Sequence, residues 1–216
     1  MNTEFARAKM IEQQVRAWDV LDKTVLETLA STPRENFVPQ AFQPLAFADV
    51  EVPIGHGESM MTPTVEGRVL QALELSATDR VLEVGTGSGY LTACLAKLGG
   101  SVVSVELHAD LLSAAKDRLE EASIDNVELM EMDAMRELPE GRFDAIAVTG
   151  SIQRFDPRFV EALRPGGRLF VVVGDAPVMD ARRVRFESDN EWFSESLFET
   201  VLKPLVHGAE PPQFAF

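Results

Sequence analysis

The stretch that decides the fold is Val81-Leu82-Glu83-Val84-Gly85-Thr86-Gly87-Ser88-Gly89-Tyr90. A short apolar run passes into three alternating glycines and then into a segment with helical spacing, which predicts a strand, a tight turn and a helix. Glycine at 85, 87 and 89 lets the backbone approach a ligand with no Cβ in between. Ligands of open α/β sheets lie at the carboxyl ends of the strands. A turn without a ligand would need fewer glycines, so the stretch predicts a cofactor loop.

Outward from this loop, strands and helices alternate along the chain. Short valine-rich runs are typical of parallel strands that are covered on both faces. We therefore predict an α/β fold, a doubly wound, Rossmann-like domain whose mostly parallel seven-stranded sheet ends in an antiparallel hairpin turning at Asp189-Asn190. The predicted strands are Arg80–Gly85, Ser101–Leu107, Val127–Asp133, Phe143–Thr149, Arg168–Gly174, Ala181–Ser188 and Ser194–Leu202, and the predicted helices of this part are Tyr90–Leu98, Ala109–Ala122 and Pro157–Leu163.

The first third of the chain has a different pattern. Residues 3–16 and 22–31 have helical spacing, and Asp22 is a candidate N-cap for the second helix. Residues 37–63 contain prolines and glycines and are predicted as loop with short extended pieces, before Thr64–Leu75 returns to helical spacing. We predict a single domain over residues 1–216, with N-terminal helices and a substrate loop in 1–78 and a cofactor-binding α/β core in 79–216.

The composition limits the class of protein. The 216 residues are 45% hydrophobic and carry a formal net charge of −15. So acidic a chain repels the phosphate backbone of nucleic acids, and we interpret its densest basic patch, Arg182–Arg185, as a charged edge strand that discourages aggregation. No apolar run is long enough to span a membrane, and Met1–Gln14 lacks the apolar centre of a signal peptide. With a single cysteine, Cys94, we expect a cytoplasmic protein without nucleic-acid or membrane partners.

Two acids follow the cofactor loop at the ends of later strands. Glu106 ends a predicted strand about twenty residues beyond the first glycine, where nucleoside sites place an acid on the ribose hydroxyls. Asp133 ends the next strand, just before Ala134, and can accept a hydrogen bond from an adenine amine. Because neighbouring parallel strands end at one edge of the sheet, these acids and the loop predict a nucleoside site.

The loop also indicates which nucleoside binds. Its spacing is G-x-G-x-G, whereas dinucleotide pyrophosphate loops have G-x-G-x-x-G. Glu83 before the glycines would repel a phosphate but suits S-adenosylmethionine, which has an ammonium, a sulfonium and no phosphate. Neither a G-x-x-x-x-G-K-[ST] phosphate loop nor a G-x-S-x-G hydrolase turn is present. The histidines, His56, His108 and His207, have no metal-ligand spacing, so no metal is expected.

Over nearly its whole length the chain resembles the protein-L-isoaspartate (D-aspartate) O-methyltransferase family. The similar stretches are Met10–Arg16 (MIEQQVR), Pro33–Pro39 (PRENFVP), Val52–Pro63 (VPIGHGESMMTP), Val81–Tyr90, Phe143–Gly150 and Leu163–Gly174 (LRPGGRLFVVVG). The resemblance implies a class I methyltransferase fold with S-adenosylmethionine as methyl donor. It also implies that the cofactor is bound by Glu83, Gly85, Thr86, Gly87, Ser88, Gly89, Glu106, Leu107, Asp133, Ala134 and Thr149.

The resemblance breaks around the methyl acceptor. Family members usually have Ile-Ser-Gln-Pro or Ile-Ser-Ala-Pro where this chain has Met60-Met61-Thr62-Pro63, so Met61 replaces the family's catalytic serine. A thioether donates no hydrogen bond to a carboxylate, and Thr62 and Ser59 are the nearest hydroxyls. Two further departures are Ala134–Arg142, shorter than the family's segment, and Thr149-Gly150-Ser151, where the family commonly has Thr-Ala-Ala or Gly-Ala-Ala.

The chemistry of methyl transfer decides how much the serine matters. The sulfonium already activates the methyl group, and a carboxylate with a reference pKa near ~4 is ionised at neutral pH, so it needs alignment and not a base. An alcohol or amine acceptor would favour a base, and His56, Asp49 and Glu58 lie in or beside the substrate loop. For His56 the alternative is a structural hydrogen bond in its Gly-His-Gly turn. The candidate catalytic residues are therefore Thr62, Ser59 and His56.

Three functions stay open on the sequence. The first is a methyltransferase for a carboxylate or another oxygen acceptor, with L-isoaspartyl residues of damaged proteins as the leading acceptor. The second is a family member that methylates a small metabolite or a different protein side chain. The third is a non-catalytic protein that binds S-adenosylmethionine, in which Met60 and Met61 form a soft apolar contact surface. The sequence specifies neither the acceptor nor the oligomeric state.

Overall fold

The computed structural model of the chain describes residues 3–188 and 191–208, and the predicted turn at Asp189-Asn190 lies outside them. The α-helices of the described part are α1 (Thr3–Met10), α2 (Lys23–Ser31), α3 (Pro63–Leu73), α4 (Tyr90–Leu98), α5 (Ala109–Glu121) and α6 (Arg158–Glu161). Its strands are β1 (Val52–Gly55), β2 (Glu58–Met60), β3 (Arg80–Val84), β4 (Ser101–Glu106), β5 (Val127–Glu131), β6 (Phe143–Ile152), β7 (Leu163–Asp175), β8 (Val178–Phe186) and β9 (Trp192–Thr200).

Seven of these strands form one sheet in the order β5-β4-β3-β6-β7-β8-β9. Neighbouring strands from β5 to β7 are parallel, whereas β7 with β8 and β8 with β9 pair antiparallel. The predicted fold, mostly parallel with a C-terminal antiparallel hairpin, is therefore confirmed. The chain winds outward through β4 and β5 on one side of β3 and through β6 and β7 on the other. Such a switch point opens a crevice at the carboxyl ends of the strands.

The sheet is covered on both faces. Along β3, Val81 belongs to one hydrophobic cluster and Leu82 to the other, because successive side chains of a strand point to opposite faces. Helices α1 to α5 all contribute to the first cluster and α6 to the second. Their contributing side chains include Met10, Val25, Val69, Leu95, Leu119 and, from α6, Phe159.

Local signals in the sequence set the start of two helices. Asp22 Oδ1 accepts hydrogen bonds from the N–H groups of Thr24 at 2.8 Å and Val25 at 3.0 Å, which confirms Asp22 as the N-cap of α2. Thr62 is the N-cap of α3, where its hydroxyl accepts from the Val65 N–H at 3.4 Å and a proline follows in the first turn. The hydroxyl of Thr62 is thus already used at the start of a helix.

Two predicted helices have different bounds in the structure. The helix predicted over residues 3–16 is α-helical only in its first part and continues as a π-helical turn over Ile11–Val15. The helix predicted over Pro157–Leu163 shortens to Arg158–Glu161, because the next residues already pair with Phe143 of β6. Across residues 3–188 and 191–208, no helix combines the length and the apolar character that crossing a bilayer requires.

Two predictions about strands are wrong. β6 continues beyond the predicted end at Thr149 to Ile152, because its last residues pair with β7 after a shift in register. Arg182–Arg185 do not lie on an edge strand, since β8 has β7 on one side and β9 on the other. Each arginine of this patch forms an ion pair: Arg182 with Asp180, Arg183 with Glu74 and Glu195, and Arg185 with Glu74.

Candidate active site

A cavity lies at the carboxyl ends of β3, β4, β5 and β6. One wall is formed by the sheet and the glycine loop, with Gly85, Thr86, Gly87, Ser88, Glu106, Leu107, His108, Asp133, Ala134 and Thr149. The facing wall is formed by the β1–β2 hairpin and the residues after β9, with Ile54, Glu58, Ser59, Met60, Met61, Leu202 and Lys203.

The backbone shapes the glycine loop. The φ angle is +97° at Gly85, +54° at Gly87 and +86° at Gly89, values that residues with a Cβ rarely adopt. A Cβ at position 85 would lie 2.3 Å from Thr149 Oγ1, and one at position 87 would lie 3.1 Å from Ile54 Cδ1. The Thr149 hydroxyl donates to the carbonyl of Gly85 at 3.0 Å. The loop therefore closely contacts β6 below and the β1–β2 hairpin above.

Glu83 lies beneath this loop. Its side chain is fully buried, and its carboxylate accepts hydrogen bonds from Thr92 at 2.5 Å and from Ser104 at 2.6 Å. Its other oxygen, Oε1, has no partner among the described residues. Burial raises the pKa of Glu83 to about 8. The hydrogen bonds from Ser104 and Thr92 oppose this rise, and the charge of Glu106 adds to it. Glu83 is not among the described residues that line the cavity, so its predicted contact with a cation has no direct counterpart here.

Glu106, by contrast, lines the cavity at the end of β4. Its carboxylate accepts from the N–H of Gly87 at 2.9 Å and from the N–H of His108 at 3.1 Å. These two bonds fix the carboxylate between the glycine loop and the start of α5, with Leu107 beside it. The predicted ribose acid is therefore at the cavity wall, and a carboxylate held by backbone N–H groups keeps lone pairs for ligand hydroxyls.

Asp133 and Ala134 line the neighbouring part of the cavity, after β5. One oxygen of Asp133 accepts from the Met135 N–H at 3.0 Å. The other lies 2.8 Å from Nδ1 of His207 and 3.1 Å from Nε of Arg136. The predicted adenine acid thus lines the cavity, with His207 and Arg136 both bonded to one of its two oxygens.

The donor set of the cavity suits a cationic nucleoside better than a phosphate. Among the charged side chains of the described lining, carboxylates outnumber cations, and Lys203 is the sole Lys or Arg of that lining. A phosphate would be repelled by these carboxylates, whereas the ammonium and sulfonium of S-adenosylmethionine would be attracted. Apolar side chains flank the strand ends where an adenine ring would lie: Leu107, Leu111, Met132 and Ala134. The residues present therefore fit S-adenosylmethionine.

The three candidate catalytic residues occupy different places. Ser59 lines the cavity, and its hydroxyl donates to Glu51 at 3.3 Å. Met61, at the position of the family's serine, also lines the cavity and is mostly buried. Thr62 is outside the described lining; besides capping α3, its hydroxyl lies 2.9 Å from the Thr64 hydroxyl. Of Ser59 and Thr62, only Ser59 belongs to the described lining of the cavity.

His56 lies on the outside of the hairpin turn. Its backbone has a φ of +53°, and its Nε2 is 2.8 Å from Asp110, which lowers the pKa of that carboxyl. Its ring stacks on His108 with the centroids 4.1 Å apart. His56 is not among the described lining residues. Within residues 3–188 and 191–208, no group of three or more His, Cys, Asp or Glu is placed to hold a metal.

A buried ion pair between Arg34 and Glu66, which no sequence pattern predicted, lies on the acceptor side. Arg34, in the PRENFVP stretch, is fully buried and bonds to Glu66 of α3 at 2.9 Å. Its remaining N–H groups donate to the carbonyls of Ala46 at 2.9 Å and Met61 at 2.8 Å. Burial, opposed by Arg34, raises the pKa of Glu66 to about 6. One guanidinium thus joins three parts of the chain beneath Met61.

The residues after β9 form the other unpredicted part of the site. Ser151 at the end of β6 donates its N–H to the Lys203 carbonyl at 2.9 Å and its hydroxyl to the Leu202 carbonyl at 2.8 Å. A Cβ at Gly150 would lie 2.7 Å from Leu205 Cδ2. The residues that depart from the family pattern at 150 and 151, Gly150 and Ser151, therefore contact the segment after β9. This departure was the signal in the sequence that could have indicated the role of that segment.

Comparisons with known proteins agree with this geometry. The family model described as protein-L-isoaspartate(D-aspartate) O-methyltransferase matches residues 6–210. A Pelobacter propionicus protein-L-isoaspartate O-methyltransferase 2 is 38% identical over 97% of this chain and 93% of its own. A Geotalea uraniireducens protein-L-isoaspartate O-methyltransferase 1 is 37% identical over 94% of each chain.

A solved structure supports the fold. A Plasmodium falciparum protein described as a protein-L-isoaspartate O-methyltransferase, in complex with S-adenosyl-L-homocysteine, superposes with a TM-score of 0.80 at 22% identity, covering 93% of this chain and 98% of that one. Together with the family model, these relatives confirm the predicted family, fold and methyl donor. The chain belongs to the protein-L-isoaspartate(D-aspartate) O-methyltransferase family, an S-adenosylmethionine-dependent O-methyltransferase family.

Proposed function

We propose that this protein transfers the methyl group of S-adenosylmethionine to a free carboxylate of L-isoaspartyl residues in proteins and peptides. The observation that carries the proposal is one cavity with two walls, nucleoside-binding residues on the sheet and the hairpin with Ser59 and Met61 opposite. The 38% identity to a relative named for this reaction supports it. A small-molecule acceptor would use the same cavity.

On the sheet side, the chain would hold the donor through its backbone and two acids. The glycine loop would approach the methionine part, Glu106 the ribose hydroxyls, and Asp133 with Ala134 the adenine. Bound there, the sulfonium supplies a methyl group that needs no further activation. The full proposed set is Glu83, Gly85, Thr86, Gly87, Ser88, Gly89, Glu106, Leu107, Asp133, Ala134 and Thr149, with Glu83 acting from below the loop.

On the facing side, the chain would align the acceptor carboxylate. A carboxylate with a reference pKa near ~4 is ionised at neutral pH, so the task is to orient it in line with the methyl carbon and exclude water. Ser59 is the candidate for this role because it lines the cavity, and its hydroxyl would exchange its 3.3 Å bond to Glu51 for one to the acceptor. Thr62 at a helix cap and His56 against Asp110 are engaged elsewhere, which favours a mechanism without a base.

Transfer of tritiated methyl from S-adenosylmethionine to an isoaspartyl peptide tests the proposal directly. We expect a base-labile methyl ester on the isoaspartyl peptide and none on the matched aspartyl peptide. Ser59→Ala should raise KM for the peptide, while binding of S-adenosylmethionine by calorimetry stays unchanged. Cofactor binding without any ester on the isoaspartyl peptide would overturn the proposed acceptor.

One observation favours a second candidate, a different acceptor. Met61 presents a thioether where the family has a hydroxyl, so the acceptor pocket offers fewer hydrogen-bond donors and more apolar surface. Incubating the protein and labelled S-adenosylmethionine with a metabolite extract, then with a protein extract, would identify such an acceptor. Labelled products from these extracts, together with no methyl transfer to the isoaspartyl peptide, would favour this candidate.

The lone cysteine, Cys94, is buried, which supports a reducing location such as the cytoplasm.

A further inference from the structure

Lys203 joins the segment after β9 to the hairpin that carries the acceptor residues. Its Nζ donates to the Gly57 carbonyl at 2.7 Å and to Glu58 Oε1 at 2.5 Å. Both groups belong to the turn and second strand of the hairpin, directly before Ser59 and Met61. The ammonium therefore lies in the wall of the cavity that faces the glycine loop.

The ammonium has a donor to spare. A lysine has three N–H donors, and Gly57 and Glu58 take two of them. No further acceptor for Lys203 is present among residues 3–188 and 191–208, and its side chain keeps 42% of its surface exposed. A ligand oxygen entering the cavity can therefore bind this ammonium without breaking its bond to the Gly57 carbonyl.

The charges around the cavity make this donor important for an anionic acceptor. Five carboxylates belong to the described lining: Glu51, Glu58, Glu66, Glu106 and Asp133. Without a cation, an entering carboxylate would be repelled by them. Lys203 is the sole Lys or Arg of that lining, and Met61 donates no hydrogen bond. Among the lining residues, Lys203 is therefore the one that can supply a lysine or arginine charge to an acceptor carboxylate.

The position of Lys203 is well fixed. Its carbonyl accepts from the Ser151 N–H, and the Leu205 N–H donates back to the Ser151 carbonyl, both at 2.9 Å. Gly150 precedes this contact and follows Thr149, whose hydroxyl donates to Gly85 of the cofactor loop at 3.0 Å. A short chain of contacts therefore ties Lys203 to the loop that would hold the methyl donor. Such preorganisation is what an aligning group needs.

We propose that Lys203 binds the carboxylate that accepts the methyl group. Before the acceptor binds, Glu58 is the counter-ion of Lys203, and the acceptor carboxylate replaces it. This assignment rests on the proposed function. In it, one oxygen of the acceptor would receive a charge-assisted hydrogen bond from Nζ, and the other would be free to attack the methyl carbon. The new O–CH3 bond would replace the S–CH3 bond, whose electron pair would leave with the sulfur of S-adenosyl-L-homocysteine. Lys203 thereby selects carboxylates over neutral carboxamides.

The test compares Lys203→Met with Lys203→Arg, Glu58→Gln and the wild type. Each protein is assayed with an isoaspartyl peptide and with the same peptide carrying a carboxamide at the accepting position. Peptide binding is measured in the presence of S-adenosyl-L-homocysteine, and S-adenosylmethionine binding is measured separately by calorimetry. Removing a charge-assisted hydrogen bond should raise KM for the peptide roughly ten- to a hundredfold, with a smaller change in kcat. Binding of S-adenosylmethionine should stay within about twofold, which also shows that the variant folds.

The other variants separate binding from a structural role. Lys203→Arg should restore most of the affinity for the carboxylate peptide, and Lys203→Met should bind carboxylate and carboxamide peptides equally. Glu58→Gln removes the competing counter-ion, so KM for the peptide should fall; if Lys203 only fastened the hairpin, Glu58→Gln would raise KM as Lys203→Met does. That outcome, or an unchanged preference for the carboxylate in Lys203→Met, would overturn the assignment. If the wild type itself transfers no methyl to the isoaspartyl peptide, the proposed function fails, and the assignment fails with it.

Discussion

The glycine loop and the β1–β2 hairpin that faces it are built by different means. The loop is held by its own positive φ angles and by Thr149 and Ser104 of the strands next to it. The hairpin is held by side chains from distant parts of the chain, Arg34 below and Lys203 above. The donor side is therefore specified by one continuous stretch, whereas the acceptor side is an assembly of separate segments.

This difference explains why one side keeps the family pattern and the other departs from it. A side chain at Gly85 meets Thr149 at once, so the loop admits few substitutions. On the acceptor side, a lost hydroxyl at position 61 can be offset by a group from another segment. The hairpin, α3 and residues 202–206 after β9 all contribute to the lining of the same cavity.

The largest effect is expected where the acceptor side depends on one buried ion. Arg34→Met leaves the Glu66 carboxylate buried without its partner, which should lower the free energy of unfolding by about 3–5 kcal/mol in denaturant titrations. The double variant Arg34→Met/Glu66→Met should regain more than half of that loss. Lys9→Ala, which breaks an exposed pair with Glu12, should cost less than about 0.5 kcal/mol. If Arg34→Met lowers the free energy of unfolding by less than about 1 kcal/mol, the guanidinium does not stabilise the acceptor side.

On the donor side, Gly85→Ala places a Cβ 2.3 Å from Thr149 Oγ1 at a φ of +97°. We expect its affinity for S-adenosylmethionine, measured by calorimetry, to fall about a hundredfold or more, as strain and displacement of the loop add. Gly166→Ala is the matched control, because Gly166 also has a positive φ, +79°, but open space around it. That control should lose about 1 kcal/mol of stability and keep its cofactor affinity; equal affinities in both variants would contradict the loop geometry.

Glu83 makes the stability of the donor side depend on pH. The pKa of Glu83 is raised from 4.5 to about 8 by burial, so the folded state holds a proton that the unfolded state releases above its own lower pKa. The stability that the protonated Glu83 carboxyl contributes is fully present below about pH 4.5 and is lost as the pH rises to about 8. Glu83→Gln, without cofactor, should therefore gain stability relative to the wild type across this range, on the order of 2–3 kcal/mol. Denaturant titrations at several pH values measure the gain, and parallel curves would contradict the raised pKa.

The smallest effect concerns Thr62. As the N-cap of α3, Thr62→Ala should lower stability by about 1 kcal/mol, and Thr62→Ser should restore it. Neither variant should change kcat by more than about twofold once the protein is folded. A tenfold fall in kcat for Thr62→Ala with stability intact would instead make Thr62 a member of the catalytic site.

Sequence reasoning reached the donor side because its signals are local. Three alternating glycines between a strand and a helix, and an acid at the end of the next strand, are patterns of neighbouring residues that the fold reproduces at Gly85 and Glu106. For Glu83 it predicted a cofactor contact but not the burial of the side chain, because a carboxylate before the glycines looks the same in sequence whether it faces the ligand or lies below the loop. Burial decides between the two, and burial depends on Ser104 and Thr92.

The acceptor side was beyond local patterns for a related reason. Arg34 reaches Met61, and Lys203 reaches Gly57, across large separations in sequence. An arginine in a loop and a lysine before a proline look like ordinary solvated charges until the fold brings them to the cavity. The same limit applies to the end of β6, whose extension to Ile152 depends on a shift in register with β7.

The bridge between Ser151 and Pro204 has a consequence for the order in which the protein matures. The glycine loop, β4 and β6 are made before the residues after β9, so the segment that completes the facing wall of the cavity is synthesised after every strand of the sheet. The contacts of Lys203 with Ser151 and with the hairpin therefore form late. A chain cut before Lys203 would keep the glycine loop and lose part of the wall that faces it.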